Sequence, residues 1–412
     1  MLWQPSLPER YTRASADDLA REIGERRREL GEKLVILGHH YQTDEIIRHA
    51  DVTGDSLKLS QIAAKVAGER GVRYVIFCGV HFMAETADML TPESVDVILP
   101  DLSAGCSMAD MAAYDDTVEA WETIHAELGA RGWSGTIVPI TYVNSTAAIK
   151  AFVGARGGAC CTSSNASEVF RWAREQAGPN GKILFLPDQH LGRNTAAKAG
   201  IDARTRTCLY DPKKVRQGQA LGGATGEQLL ASDVILWAGH CSVHKLFRPE
   251  HCDQVRAMSA AEAEKDASKA PWTILVHPEC MKEVVDKADL NGSTEYIIKA
   301  VREAKPGTRF AVGTEVHLVN RLAAEARGRG VEVRILSDCQ CLCTTMYRID
   351  QPHLLWVLDH LTGRMSKDGS AKVVNKVAVH PEVRRDALLA VDRMLALSSP
   401  GAPRMTALAT AD

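Results

Sequence analysis

The chain has 412 residues, of which 45% are hydrophobic and 25% charged, and its formal net charge is −3. These values describe an ordinary globular protein with room for about two to four domains, and they show no basic excess that would recruit nucleic acid or an anionic membrane. Aromatic residues make up only 5% of the chain, which disfavours a base-stacking surface for single-stranded nucleic acid.

Short β-branched runs recur along the chain, and each is followed by a polar cluster and then an amphipathic helical stretch. In chain order the runs are KLVILGHHY, RYVIFCGVH, VDVILPD, TIVPITYVN, GACCTSSN, KILFLPDQH, VILWAGHC, WTILVHPE, RFAVGTE and VEVRILSDC. Continuous rather than alternating apolar strands indicate parallel sheets covered on both faces. About ten such units fit either a barrel of eight or three sandwiches, and the periodicity does not choose between these folds.

The polar clusters that follow these strands are candidate site residues, because ligands of parallel α/β folds bind beyond the carboxyl ends of the strands. The clusters with acid, base or donor groups contain His39, His40 and Tyr41; Tyr142 and Asn144; and His277 and Glu279. Histidine and glutamate can transfer protons, and the tyrosine and asparagine side chains can hold a carboxylate or oxyanion.

Three further turns resemble anion cradles. The strings GDSLKLSQ, CTSSNASEVF and LNGSTEYIIK each place small hydroxyl residues, such as Ser56, at the start of a predicted helix. Backbone N–H groups there attract phosphate or carboxylate. For any one turn, N-capping of the helix is a sufficient explanation of the hydroxyl residues. The three turns together favour a small substrate with several negative charges.

The chain has eleven cysteines and no Cys-x-x-Cys pair. The N-terminus lacks the apolar core of a signal peptide, and no run reaches the roughly 18 apolar residues of a membrane span, so we expect a cytoplasmic protein. Thiols in a reducing compartment are more often ligands, catalysts or buried hydrophobes than disulfides. The expected metal site is therefore assembled from single cysteines that follow distant strands.

Individual cysteines leave the type of metal open. Cys106 lies near a predicted helix start, where the dipole favours a thiolate. Cys241 has His240 and His244 nearby, a spacing common in zinc sites, so a zinc-dependent hydrolase or lyase on an α/β scaffold is the alternative function. The run CQCLC spaces successive Cα atoms about 6 to 7 Å apart in an extended chain, so only one or two of its thiols could reach one metal centre.

Taken together, these strings resemble the quinolinate synthase family. The matching motifs run in order from about residue 35 to 350: GHHYQ, GDSLKLS, AGCSMAD, YVNST, CTSSNA, PDQHLGRN, GHCSVH, HPEC, NGST and CLCTTM. The resemblance implies three similar α/β/α sandwich domains with parallel sheets around a pseudo-threefold axis, and an active site at their junction. The implied domains are residues 1–105 with 344–412, residues 106–240, and residues 241–343.

The resemblance also implies one 4Fe–4S cluster with a cysteine ligand from each domain. Matched by motif, the ligands are Cys106, Cys241 and one member of the CQCLC run. We assign Cys343, because the ligand cysteine of the family is followed three residues later by methionine, as Cys343 is by Met346. Cys341 is the fallback, and Cys339 is not expected to bind the cluster.

The implied reaction condenses iminoaspartate with dihydroxyacetone phosphate and releases phosphate and water to form quinolinate, a precursor of NAD. An L-aspartate oxidase would be the functional partner that makes iminoaspartate. By motif, the roles would be as follows: Glu279, His277 and His244 transfer protons, with Glu279 as the leading base; Tyr41 closes the pocket; and His39, Ser56, Tyr142, Asn144, Ser163 and Thr294 bind substrate.

Overall fold

A computed structural model describes residues 3–338 and 341–398 of the chain. The strands form three separate, mostly parallel sheets that are flanked by helices. This confirms the predicted α/β fold and excludes the single barrel of eight strands that the strand count also allowed. The chain folds into two compact units. The first contains the chain up to Ser107, Ser242–His277 and Lys287–His380, and the second contains Met108–Cys241, Pro278–Asp286 and the chain from Pro381. The proposed boundaries of three similar domains stay a prediction.

The first sheet of the first unit has five strands in the order β14-β4-β3-β1-β2. All neighbours are parallel except β14 and β4. The strands are β1 (Leu34–His39), β2 (Val52–Gly54), β3 (Tyr74–Cys78), β4 (Asp96–Ile98) and β14 (Lys376–Val377). Every residue of the central strands β1 and β3 is buried, as expected for strands covered on both faces.

The second sheet of this unit has four parallel strands in the order β11-β10-β12-β13. The strands are β10 (Trp272–Val276), β11 (Leu290–Asn291), β12 (Arg309–Gly313) and β13 (Glu332–Ile335). Its core combines strand residues such as Leu275 and Val312 with Ile297, Ile298 and Val301 from one flanking helix. These three helical residues follow the i, i+1, i+4 spacing of an apolar helix face.

The sheet of the second unit has five parallel strands in the order β6-β5-β7-β9-β8. The strands are β5 (Ile137–Tyr142), β6 (Ala159–Cys161), β7 (Lys182–Leu186), β8 (Thr207–Tyr210) and β9 (Val234–Trp237). Because all five run in one direction, their carboxyl ends meet at one edge of the sheet, where a ligand site is expected.

The helices follow the strands in both units. Those of the first unit are α1 (Glu9–Thr12), α2 (Ala16–Leu30), α3 (Asp44–Ile47), α4 (Ser56–Arg70), α5 (His81–Leu90), α13 (Pro249–Lys265), α15 (Thr294–Arg302), α16 (Val316–Arg327) and α17 (Gln351–Leu361). Those of the second unit are α7 (Tyr114–Ala130), α8 (Ala147–Ala155), α9 (Ala166–Ala177), α10 (Gln189–Lys198), α11 (Pro212–Val215), α12 (Gly226–Ala231) and α18 (Pro381–Ser398). The chain passes between units within α6 (Ser107–Asp110) and α14 (Lys282–Lys287). Across the described residues, none of the helices is long and apolar enough to cross a lipid bilayer.

The C-terminal helix α18 packs closely against α8 in the second unit. Gly154 allows this approach, because a Cβ atom at that position would collide with the carbonyl oxygen of Asp386. The buried Arg393 donates from Nη1 to the carbonyl oxygens of Gly154 and Gly158 at 3.1 and 2.7 Å. Helix α18, the last one among the described residues, is therefore an integral part of the second unit.

Candidate active site

Tyr41 is the centre of a partly buried hydrogen-bond chain in the first unit. Its hydroxyl lies 3.1 Å from Thr294 Oγ1 and 2.9 Å from Thr314 Oγ1. Thr314 Oγ1 in turn lies 3.2 Å from His244 Nε2, and the ring of His277 stacks on that of His244 with centroids 4.4 Å apart. The structure thus brings together four residues that the sequence nominated and adds Thr314.

Strand ends explain why these residues meet. His277 directly follows β10 and Thr314 directly follows β12, which are parallel neighbours. The backbone N–H of His277 donates to the carbonyl oxygen of Gly313 at 3.1 Å, which continues the ladder past the last strand residue. Thr294 begins α15, three residues after the edge strand β11. This part of the hydrogen-bond chain therefore lies beyond the carboxyl edge of the second sheet of the unit, where parallel α/β folds bind ligands.

His39 packs beside Tyr41 and is held in one tautomer. The two rings meet edge to face with centroids 4.9 Å apart, and the backbone N–H of Tyr41 donates to His39 Nδ1 at 3.2 Å. Because Nδ1 accepts, the proton of the neutral ring sits on Nε2. Burial, reinforced by the charge of His40, lowers the pKa of His39 to about 3. At neutral pH His39 is therefore an uncharged donor.

This pKa predicts how acid affects stability. The unfolded chain binds a proton at His39 as pH falls below 6.5, but the folded chain does so only near pH 3. The contribution of this neutral imidazole is therefore complete above pH 6.5 and is lost as pH falls, by about 2 kcal/mol at pH 5. Denaturation of wild type and His39→Gln at pH 7 and pH 5 measures it. The wild type should lose more stability than the variant; equal losses would contradict the prediction.

In two of the predicted anion cradles, the helix is capped by the residue that precedes the predicted one. Asp55 caps α4 and Ser293 caps α15, each accepting the backbone N–H three residues further on, at 2.9 and 3.3 Å. The predicted residues Ser56 and Thr294 are instead the first helical residues. N-capping therefore does not account for their hydroxyl groups, and that of Thr294 contacts Tyr41.

The third predicted cradle follows β6 in the second unit. The backbone N–H of Thr162 donates to Asn165 Oδ1 at 2.6 Å, and the N–H of Ser164 donates to Thr162 Oγ1 at 3.2 Å. Ser163 lies inside this turn and is partly exposed. The turn directly precedes α9, and Ser163 lies three residues before the first residue of that helix.

Tyr142 and Glu279 form the closest polar pair among the predicted residues of the second unit. Tyr142 is the last residue of β5, and its hydroxyl donates to Glu279 Oε1 at 2.6 Å. Both residues are buried, at 5% and 3% exposure. Asn144 is partly exposed in the turn after β5, which is closed by a 2.8 Å bond from Ser145 Oγ to the carbonyl oxygen of Tyr142.

A second buried carboxyl group, that of Asp188, lies in the same unit. It accepts the backbone N–H groups of Leu191 and Cys241 at 2.7 and 3.2 Å. Burial first, and then the negative charge of Glu279, raise the pKa of Asp188 well above its ordinary value. The raised pKa favours the neutral form of Asp188, and two carboxyl groups in different environments can divide the acid and base roles between them.

Cys241 and Glu279 lie close enough to serve a common ligand. The Sγ atom of Cys241 and a carboxylate oxygen of Glu279 are within 4.8 Å of each other. Asn194 fixes the turn that carries Glu279, because its Nδ2 donates to the carbonyl oxygens of Pro278 and Cys280 at 2.8 and 2.9 Å. A candidate sulfur ligand and a candidate general base therefore lie side by side in this unit.

Exposure separates the cysteines into two classes. Of the ten that the structure describes, seven are buried, and the partly exposed ones are Cys106, Cys241 and Cys343. Each of these three lies in a loop, after β4, β9 and β13 respectively. The fallback ligand Cys341 is fully buried, and Cys339 lies outside the described residues. The three partly exposed thiols are the three that the sequence assigned.

Sequence reasoning missed three residues of the candidate site. Thr314 follows the strand RFAVG, but a lone threonine carries little chemical signal. Asp188 and Asn194 lie in the motif PDQHLGRN, which was noticed as a match without any role for its residues. Asp188 lies two residues after the end of β7 and forms a bridge with Gly239, and its position after a strand is the signal that could have identified it.

Comparisons with known proteins agree with the motifs. Residues 21–396 match the family model described as quinolinate synthetase A protein. A quinolinate synthase of Acidobacterium capsulatum is 52% identical over 373 residues, which span 90% of this chain and 91% of that protein. Quinolinate synthases of Nocardioides sp. and Anoxybacillus flavithermus are 50% and 46% identical, over 89% and 95% of this chain and 86% and 96% of theirs.

Proposed function

This chain belongs to the quinolinate synthase family, and we propose that it condenses iminoaspartate with dihydroxyacetone phosphate to quinolinate, with release of phosphate and water, for de novo NAD biosynthesis. An L-aspartate oxidase is the proposed source of iminoaspartate. The observation that carries the cofactor assignment is the partial exposure of Cys106, Cys241 and Cys343, in contrast to the seven other described cysteines.

The proposed cofactor is a 4Fe–4S cluster bound by these three thiolates. The donor set fits, because soft thiolates select iron–sulfur clusters and because partly exposed thiols can reach a metal that buried thiols cannot. When bound, a cluster with three protein ligands supplies one open iron as a Lewis acid that promotes loss of water. The neighbouring Glu279 adds a base within 4.8 Å of the Cys241 sulfur.

In the second unit, the proposed base is Glu279. The hydroxyl of Tyr142 holds one oxygen of this carboxylate at 2.6 Å, which orients the other oxygen for proton abstraction. The raised pKa of Asp188 favours its neutral form, so the two carboxyl groups do not repel each other as strongly as two anions would. Asn144 is the proposed donor to a substrate carboxylate, Tyr142 Oη is the proposed acceptor for a substrate hydroxyl, and Ser163 binds a further anionic group beside its helix start.

In the first unit, His244 and His277 are the proposed proton carriers during isomerisation and dehydration. Their stacked rings keep one imidazole against the other, and Thr314 fixes His244 at Nε2. Tyr41 closes the proposed pocket, and its hydroxyl is held by Thr314 and Thr294. His39 donates to a substrate carboxylate as a neutral ring, and Ser56 and Thr294 bind carboxylate or phosphate at helix starts.

Anaerobic purification followed by iron, sulfide and zinc analysis and a quinolinate assay tests the proposal. We expect about four irons and four sulfides per chain, together with quinolinate formation from iminoaspartate and dihydroxyacetone phosphate. Zinc without labile sulfide would favour the alternative of a zinc-dependent hydrolase or lyase. A colourless, iron-free preparation that still makes quinolinate would overturn the role of the cluster.

A further inference from the structure

We propose that Asp101 and Arg348 are positioning residues that lock the loop carrying Cys106 against the turn carrying Cys343. This inference rests on the proposed function, because it takes both thiols as cluster ligands. It concerns a pair of residues that contact neither sulfur. The ion pair of Asp101 and Arg348 joins two segments of the first unit whose cysteines, Cys106 and Cys343, are 237 residues apart in sequence.

Asp101 organises the loop that leads to Cys106. Its side chain is 1% exposed. Its Oδ1 accepts both the backbone N–H of Ser103, at 2.8 Å, and the hydroxyl of Ser103, and its backbone carbonyl accepts the N–H of Ala104 at 3.0 Å. The carbonyl of Ala104 accepts the backbone N–H of His81 at 2.8 Å. The chain is therefore fixed up to two residues before the thiol.

Arg348 lies at the end of the turn that begins with Cys343. The backbone N–H of Tyr347 donates to the carbonyl oxygen of Cys343 at 3.0 Å, and Met346–Arg348 forms a single 3₁₀ turn. The buried Gln42 donates to the carbonyl oxygen of Met346 at 3.2 Å. These bonds make the segment from Cys343 to Arg348 a compact turn, so the position of the guanidinium is coupled to that of the sulfur.

The two segments meet at the second carboxylate oxygen of Asp101. Arg348 Nε donates to Asp101 Oδ2 at 3.1 Å, and His353 Nε2, on α17, lies 3.9 Å from the same oxygen. His353 is itself held by Asp350, 2.7 Å from its Nδ1. The buried carboxylate of Asp101 thus joins the loop before Cys106 to the turn that contains Arg348, and His353 of α17 lies nearby.

The arrangement matters because a cluster needs its ligands at fixed separations. Partners that hold metal ligands without touching the metal typically change metal affinity by about 10- to 100-fold when they are removed. The side chain of Arg348 is 50% exposed, so its removal does not leave a cavity in the core. Loss of Arg348 should therefore loosen the spacing of the two thiols, and it also leaves the buried carboxylate of Asp101 without that partner.

The test compares Arg348→Ala, Arg348→Lys and the control Arg364→Ala in the full chain. Arg364 forms an ion pair with Glu29, at 2.7 Å, in the same unit, with side chains 38% and 46% exposed, so this control removes an arginine from a surface ion pair. After anaerobic reconstitution, a chelator is added and the rate of iron release is measured. We expect about tenfold faster release from Arg348→Ala, an intermediate rate from Arg348→Lys, which keeps the positive charge, and the wild-type rate from the control.

Thermal melting of the metal-free proteins shows whether a general loss of stability is the cause. Metal-free Arg348→Ala should melt lower than metal-free Arg364→Ala, because it leaves the 1% exposed carboxylate of Asp101 without its guanidinium partner. Metal-free Asp101→Asn, which removes that charge, is therefore the comparison that separates lost stability from a loosened ligand loop. Asp101→Asn keeps an acceptor for Ser103 but removes the charge, and it should also release iron faster. Wild-type release rates in Arg348→Ala and Asp101→Asn, or equal acceleration in Arg364→Ala, would overturn the inference. If Cys106→Ser and Cys343→Ser keep all their iron, the ligand assignment fails instead, and the inference falls with it.

Discussion

Serine in place of Cys343 is expected to reduce bound iron to background and to abolish quinolinate synthesis, whereas serine in place of Cys341 leaves both near wild type. The two thiols are two residues apart but differ in environment. Cys343 is partly exposed, while Cys341 is fully buried with its Sγ 3.4 Å from Ser337 Oγ. A hydroxyl at position 341 can keep a contact with Ser337, but a hydroxyl at position 343 is a poor substitute for a soft thiolate ligand.

The pair of variants is internally controlled, because both make the same chemical change in the same segment. Iron and sulfide analysis after anaerobic purification gives the primary readout, and visible absorbance gives a second. Cys106→Ser and Cys241→Ser should behave as Cys343→Ser does, and Cys339→Ser as Cys341→Ser does. The reverse pattern, with iron lost from Cys341→Ser and kept by Cys343→Ser, would move the third ligand to Cys341.

Glutamine in place of Glu279 is expected to lower kcat by about 10²- to 10⁴-fold, the usual contribution of a general base, without loss of iron. The amide oxygen can still accept the hydroxyl of Tyr142, which lies 2.6 Å from Glu279 Oε1 in the wild type. The variant therefore keeps the shape of the pair and removes only the basic carboxylate. Steady-state kinetics combined with iron analysis separates a lost base from a lost cofactor.

The control for this prediction is Tyr142→Phe. It removes the hydrogen bond to the carboxylate and a contact with substrate, but it leaves the base in place. We expect a smaller fall in kcat than for Glu279→Gln. If Glu279→Gln, with its iron intact, turned over within about tenfold of wild type, a role as general base would be excluded.

The strands show how far the sequence determines this fold. All ten apolar runs, from KLVILG to VEVRIL, are strands. Continuous burial gives the central strands a strong signal, whereas β13 is exposed or partly exposed and is marked by its β-branched residues. The four strands that sequence reading missed are short or partly exposed, and each lies at the edge of a sheet: β2, β8, β11 and β14. An edge strand pairs on one side only and needs no continuous apolar run. The grouping of strands into three sheets depends on pairing between distant segments, which periodicity does not encode.

Site residues could be predicted from the sequence where the residue type itself is reactive or a strong hydrogen-bonding group. Tyr142 and Glu279 were nominated separately by position after a strand, and the structure adds their 2.6 Å hydrogen bond. Thr314 was missed because its role depends on the meeting of Tyr41 and His244. Such residues act through contacts between distant segments, so their residue type alone does not reveal them.

The packing of α18 against α8 has a consequence for biosynthesis. The second unit draws on three separate stretches of chain, and the last of them begins at Pro381. A nascent chain emerges from the ribosome N-terminus first, so α8 is exposed long before α18 is made. Gly154 and its neighbours therefore meet α18 only after the stretch of the first unit between residues 287 and 380 has been synthesised. Folding of the second unit brings together segments that are made at widely different times.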